Sequence, residues 1–175
     1  ASPSPAPIPD VDDEPALYAA LGLQHVPPEL REDRGEIEAA ARGELPRLVE
    51  LGHLRGTFHC HTTASDGNAT LEEMARAADD LGLQYLGIAD HSRGAIQANG
   101  LDAERLMAQR SAIEQWNRRG EGIRLFAGVE CDILKDGTLD FPDEILARLD
   151  YVVASVHSSF GLSEAAMTAR IVRAM

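Results

Sequence analysis

This 175-residue sequence is short of cysteine, of positive charge and of long apolar runs, and each shortage removes a class of function. Its two cysteines, Cys60 and Cys131, cannot build a disulfide framework, and so small a number suits a reducing compartment. No apolar run approaches the roughly 18 residues of a membrane span, and the amino terminus lacks the basic patch and apolar stretch of a signal peptide. The expectation is a soluble, cytoplasmic protein with no membrane partner. Lys and Arg number 16 against 29 Asp and Glu, for a formal net charge of -13. That balance works against a basic groove tracking a nucleic-acid backbone, because an anionic surface repels phosphates unless bound cations neutralise it locally. Clustered carboxylates are then either solvated surface or metal ligands, and position has to separate the two. Also missing are a Walker A loop, a G-x-G-x-x-G turn, a G-x-S-x-G elbow and an H-E-x-x-H helix.

What is present is enough for one ordinary core, with 44% of residues hydrophobic. Pro3, Pro5, Pro7 and Pro9 alternate with small residues, a composition that favours extended polyproline II. Residues 1–13 are accordingly read as a proline-rich interdomain linker, which implies another domain upstream in a longer chain. Residues 14–53 show intermittent helical signals interrupted by Pro27-Pro28 and Gly43, and are read as short helices strapped onto the main domain.

From residue 54 to 175 strands and helices alternate. Phe58–His61, Tyr85–Asp90, Arg124–Glu130 and Tyr151–His157 are expected strands. Thr70 with Glu73 forms a capping box for a helix that Gly82 ends, Asp102 caps a helix that Gly120 ends, Pro142 starts a short helix and Ser163 opens a last one. Apolar runs such as Leu86-Gly87-Ile88-Ala89 argue for an α/β fold with a parallel sheet buried on both faces, doubly wound or a barrel.

The chemistry lies in where the metal-competent side chains fall. His59 and His61 end the first strand, His91 follows Asp90 at the end of the second, Glu130 ends the third and His157 the fourth. In parallel α/β folds the carboxyl ends of the strands are where ligands bind. His59 and His61, two apart on a strand, direct both imidazoles to one face and turn Cys60 away. The same pair is also compatible with exposed or hydrogen-bonded histidines. Asp66, in the Ser65-Asp66-Gly67 turn, is placed either to close over an ion or to make an Asx turn. His91 reads as a ligand or as a core histidine oriented by Asp90. Glu130, after the apolar Leu125–Val129, needs a cation or a donor, and bridging two ions is the economical role. Cys60 and Cys131 read as reduced core thiols, and Arg93 and Lys135 as solvated charges within loop reach of a phosphate. His25 and His53 receive no role. With other mechanisms missing, hydrolysis by metal-bound hydroxide is what remains.

Phe58-His59-Cys60-His61-Thr62, Ser65-Asp66-Gly67, Ala89-Asp90-His91-Ser92, Gly128-Val129-Glu130 and Ala154-Ser155-Val156-His157-Ser158 resemble, in order, the motifs of the PHP (polymerase and histidinol phosphatase) family. Tyr18–Leu23, Val26–Glu32, Asp132-Ile133-Leu134 and Leu139–Asp143 further resemble the carboxy-terminal PHP domain of bacterial family X DNA polymerases. The resemblance implies part of a distorted seven-stranded, TIM-like barrel, truncated before its last strands, with two to three divalent ions, Mn2+ or Zn2+, and Mg2+ for the attached polymerase. By motif, His59 and His61 would bind one ion, Glu130 would bridge it to a second held by His157, and Asp66 with His91 would hold the third. Glu130, His91 and Asp66 are the expected catalytic residues.

The implied activity is a metal-dependent 3′–5′ exonuclease or related phosphoesterase acting on DNA 3′ ends in repair, beside an upstream polymerase domain. The alternatives are a free-standing phosphatase for a small phosphomonoester such as histidinol phosphate, and a non-catalytic metal-binding module that supports the polymerase. Two departures from the pattern stand out: Thr57 replaces the usual aspartate two residues before the first histidine, and the later motifs, a histidine or cysteine and an Asp-x-His pair, fall beyond Met175. This piece alone is therefore expected to hydrolyse little.

Overall fold

The structure is a computed structural model that describes residues 10–120 and 122–175. Most of the proline-rich stretch assigned as a linker lies outside the described residues. Among the described residues two compact units emerge, one up to Glu50 and one from Leu51 onward.

In the first unit, α1 (Glu14–Ala20) starts at Asp13, whose carboxylate accepts the Ala16 N–H at 2.8 Å, and Glu14 sits at the positive end of the helix dipole. A second helix, α2 (Glu36–Arg42), stops at Gly43, which takes the left-handed conformation (φ 69°). Arg31 ties this unit together, donating to the Val26 carbonyl at 2.9 and 3.0 Å and to Glu14 Oε2 at 2.8 Å.

The second unit runs β1 (Gly56–Cys60), α3 (Leu71–Asp80), β2 (Tyr85–Ile88), α4 (Ala103–Arg119), β3 (Arg124–Ala127), β4 (Glu130–Asp132), α5 (Asp143–Leu146), β5 (Val153–Ser155) and α6 (Glu164–Ala174). Strands β1-β2-β3 form one parallel sheet and β4-β5 a second parallel pair. The expected caps are in place: Thr70 and Glu73 complete a capping box on α3, Asp102 accepts from the Arg105 N–H, and Ser163 accepts from the Ala166 N–H.

Alternation along the strands sorts side chains between faces. Leu86, Ile88, Leu125 and Ala127 point to α3 and α4, where they meet Ala75, Ala78 and Ile113 in the main core. Burying each of the leucines and isoleucines contributes about 1.5–3 kcal/mol. The opposite face carries Phe58, Tyr85, Phe126 and Tyr151, with ring centroids 4.9–5.9 Å apart. Contrary to a sheet buried on both faces, Phe58 is 45% exposed there. Gly87 and Gly128 make room for these rings: a Cβ on Gly87 would sit 2.3 Å from Phe58 Cδ1, and one on Gly128 would sit 2.4 Å from Tyr151 Cζ.

One expected strand is two. The run from Arg124 to Glu130 pauses at Gly128-Val129, so Glu130 begins β4 and does not end the third strand. The Tyr151 ring lies where a side chain at Gly128 would be, and a glycine inside a strand pattern is where the chain bends. The bend keeps its hydrogen bonds, since Glu130 N–H donates to the Asp90 carbonyl at 3.1 Å and Ser92 N–H to the Glu130 carbonyl at 2.9 Å. Among the described residues no helix is long and apolar enough to cross a membrane.

Candidate metal centre

Four histidines and two carboxylates gather where β1, β2 and β5 end and β4 begins. Glu130 is their hub, with a side chain only 6% exposed. Its Oε2 lies 3.1 Å from His59 Nε2, 3.2 Å from His61 Nε2 and 3.1 Å from His91 Nδ1, while Oε1 lies 3.2 Å from His157 Nε2. Asp66 approaches from the turn after β1, its Oδ1 2.8 Å from His61 Nδ1 and its Oδ2 3.5 Å from His91 Nε2. Thus all six residues singled out in the sequence, His59, His61, Asp66, His91, Glu130 and His157, converge. They fall into three overlapping groups: His59-His61-Glu130, His61-Asp66-His91 and His91-Glu130-His157.

The backbone works to bring the pair on β1 together. Simple alternation does not hold, because the register against β2 slips by one residue between Thr57 and Cys60, and His59 sits in the slip with φ 65°. That left-handed conformation is unfavourable for a residue with a Cβ. Its consequence is that Cys60 still packs into the main core while His59 and His61 both reach one oxygen of Glu130.

The turn carrying Asp66 is held by a residue read in the sequence only as an orienter of His91. Asp90 is fully buried and accepts from Thr62 N–H (2.8 Å), Thr62 Oγ1 (2.8 Å), Ser65 N–H (3.2 Å), Ser65 Oγ (2.5 Å) and Gln109 Nε2 (2.5 Å). Five donors satisfy the carboxylate without a cation. Asp90 therefore shapes the loop between β1 and α3, and its carboxylate bonds there and not to His91.

Asp132 has no assigned role in the sequence-based reading of the site. It is buried, and its Oδ1 hydrogen-bonds His157 Nδ1. The signal that finds it is strand alternation: Glu130 and Asp132, two apart on β4, share a face. Thr57 spends its hydroxyl on the Phe58 carbonyl at 3.2 Å. Cys60 and Cys131 are free thiols packed in the two apolar clusters, and burial raises the pKa of both. Arg93 lies two residues past His91 with its Nε 3.3 Å from Asp140 Oδ1.

Electrostatics favour an occupant with positive charge. Burial works to raise the pKa of Glu130, yet hydrogen bonds from His59 and Ser155 and the nearby charge of His91 outweigh it and hold the carboxyl below its ordinary range. Asp66 is lowered in the same sense, chiefly by its hydrogen bond from His61. His91 Nδ1 is buried and makes no well-aligned hydrogen bond, although Glu130 is close. A buried ring nitrogen without a partner costs free energy unless something else engages it. Atoms bound to one ion at about 2.1 Å stand roughly 3.0–3.4 Å apart in octahedral or tetrahedral geometry, and the spacings around Glu130 are 3.1–3.2 Å. Imidazole nitrogen with carboxylate oxygen suits zinc and manganese alike. The residues fit a divalent metal centre.

Comparison with known proteins agrees. The PHP domain model matches residues 57–173. The protein named "DNA polymerase/3'-5' exonuclease PolX" from Bacillus subtilis (strain 168) is 44% identical over 93% of this chain, which spans 28% of that protein. Two proteins named "Probable phosphatase", from Caldicellulosiruptor saccharolyticus and Caldicellulosiruptor bescii, are each 36% identical over 57% of this chain, covering 40% of their own lengths. Matched over two thirds of its length by the family model, this chain belongs to the PHP domain family.

Proposed function

We propose that this chain carries the amino-terminal part of a metal-dependent phosphoesterase domain of a family X DNA polymerase, hydrolysing phosphodiesters at DNA 3′ ends as a 3′–5′ exonuclease in repair. The observation that carries the phosphoesterase reading is Glu130, a buried carboxylate whose two oxygens are divided among four histidines. The polymerase setting is supported by the extent of similarity. Identity with the Bacillus subtilis protein runs over 93% of the chain, including most of 14–53, whereas the phosphatases match only 57%. In this reading 1–13 is a linker from the polymerase domains, 14–53 a helical strap, and 54–175 the first part of a barrel whose further strands complete the site. The setting is the cytoplasm, where both thiols stay reduced.

His59, His61 and Glu130 would hold one divalent ion, Glu130 and His157 a second, and Asp66 with His91 a third, with Mn2+ or Zn2+ the expected metals. Such ions supply charge that polarises phosphoryl oxygens and activates water. The chain's own contribution is to hold the donors in place. Glu130, sharing its oxygens between groups, would join the sites of neighbouring ions. His91 links the Asp66 group to the Glu130 group. Asp66, on an exposed turn, faces the substrate side. Collecting local positive charge also answers the repulsion that a net charge of -13 would otherwise offer a DNA strand.

The test is Mn2+-dependent release of nucleotides from a 3′-labelled DNA strand, measured on the chain joined to its polymerase and on the His59→Ala/His61→Ala variant. Loss of release in the variant supports the exonuclease reading. Turnover of histidinol phosphate without release from DNA replaces it with the phosphatase, and bound metal without either activity replaces it with the supporting module.

A further inference from the structure

We propose that Asp132 is a positioning residue: it fixes the ring and tautomer of His157 so that Nε2 presents its lone pair to an ion shared with Glu130. The inference rests on the metal-dependent reading above and adds a residue to it.

Asp132 and Glu130 lie on one face of β4, and His157 follows the paired strand β5, on which Ser155 stands opposite Asp132. Asp132 Oδ1 meets His157 Nδ1, and the other nitrogen of that ring is 3.2 Å from Glu130 Oε1. A neutral imidazole carries one proton. Held on Nδ1 by the carboxylate, that proton leaves Nε2 free as an acceptor on the Glu130 side. A metal-binding histidine whose far nitrogen donates to a carboxylate is both oriented and made a stronger donor.

The carboxylate is itself built in. Asp132 is 5% exposed, its N–H donates to Ser92 Oγ at 3.0 Å, and Gly94 lies against its side chain. A Cβ at Gly94 would come within 2.6 Å of Asp132 Oδ2 and 3.2 Å of Asp140 Oδ2. Asp140 is occupied, accepting from the Gly94 N–H at 2.7 Å and from Arg93. Asp66 makes a comparable contact with His61 but stands on an exposed turn and faces His91 as well. Asp132 faces His157 alone among the four histidines, which separates an orienting role from a ligating one.

The test has two readouts. In the metal-free protein, held at a pH high enough for the His157 ring to be neutral, long-range nitrogen–proton NMR of His157 is expected to show the proton on Nδ1, and Asp132→Ala to move it to Nε2. In competition titrations of Zn2+ or Co2+ against a chelator, Asp132→Ala is expected to weaken one bound ion by about 10–100-fold, with a change in the Co2+ absorption spectrum. Asp132→Asn, which keeps an acceptor but loses the charge, should fall between. Gly94→Ala leaves Asp132 in the sequence and should reproduce the loss by displacing its side chain. The proposal is overturned if wild-type His157 carries its proton on Nε2, or if folded Asp132→Asn and Gly94→Ala proteins bind metal like wild type. Should wild type bind no ion at all, the phosphoesterase reading fails, while the tautomer measurement still decides for or against Asp132.

Discussion

Asp90 grips Thr62 with both oxygens, Oδ1 taking the backbone N–H and Oδ2 the side-chain hydroxyl, each at 2.8 Å. The two residues are 28 positions apart, so this contact pins the loop after β1 to the end of β2. Replacing Asp90 by alanine strands the Thr62 and Ser65 N–H groups in a buried place. The expected loss is about 2–6 kcal/mol, from two unsatisfied donors at about 1–3 kcal/mol each. Urea unfolding measures it, and a fully folded Asp90→Ala protein of wild-type stability would remove Asp90 from its structural role.

Glu130→Gln keeps the shape of the hub and discards its charge. Metal affinity is expected to fall by more than about 100-fold, the upper range for residues that merely support a ligand. Elemental analysis after dialysis checks this; two or three ions retained at wild-type strength would mean that Glu130 does not ligate.

Divalent metal should stabilise the fold. At a free concentration of 100 times the dissociation constant, one ion adds about 2.7 kcal/mol, so Mn2+ or Zn2+ should raise Tm and EDTA should lower it. A Tm indifferent to both speaks against a resident metal.

The metal-free protein should respond to pH in two opposite ways. Burial would lower the pKa of His157, but its bond to Asp132 and the charge of Asp132 and Glu130 raise it above the ordinary histidine value. A raised folded pKa means the protonated ring stabilises the fold fully below pH ~6.5, and that contribution is lost as pH rises through the folded value. Glu130 and Asp66 are lowered, so their contribution is present above the ordinary carboxylate range, about 4, and disappears as acid titrates them. Unfolding free energies of EDTA-treated protein across pH 3–9 (about that range) test both signs; bound metal should abolish the loss near and above neutrality because it competes with the His157 proton.

Gly87→Ala and Gly128→Ala place a methyl against Phe58 and Tyr151. Each is expected to cost about 1–3 kcal/mol in chemical denaturation, with the metal groups affected through shifts of Tyr151 and, for Gly87→Ala, of Phe58 beside His59.

Much of this was legible in the residues. Caps such as Thr70 with Glu73 depend on neighbours three positions apart, so the helices α3, α4 and α6 could be read locally. The six ligand candidates could be found because five fall at the ends of expected strands and Asp66 in the turn after the first. Harder to see was anything set by contacts between distant segments. The pause at Gly128 depends on Tyr151, 23 residues later, and the slip at His59 depends on the register with β2. The roles of Asp90 and Asp132 depend on which donors the fold brings to them, and a buried aspartate looks the same in sequence as a solvated one.

His59 is held at φ 65°, where glycine would rest more comfortably by about 1 kcal/mol or more. His59→Gly is therefore expected to relieve that strain while losing the contact with Glu130, leaving a metal-free protein close to wild type in stability and one that has lost a ligand. Backbone conformation and chemistry favour different amino acids at this position, so a search for thermostabilised variants that screens folding alone would not hold on to the histidine.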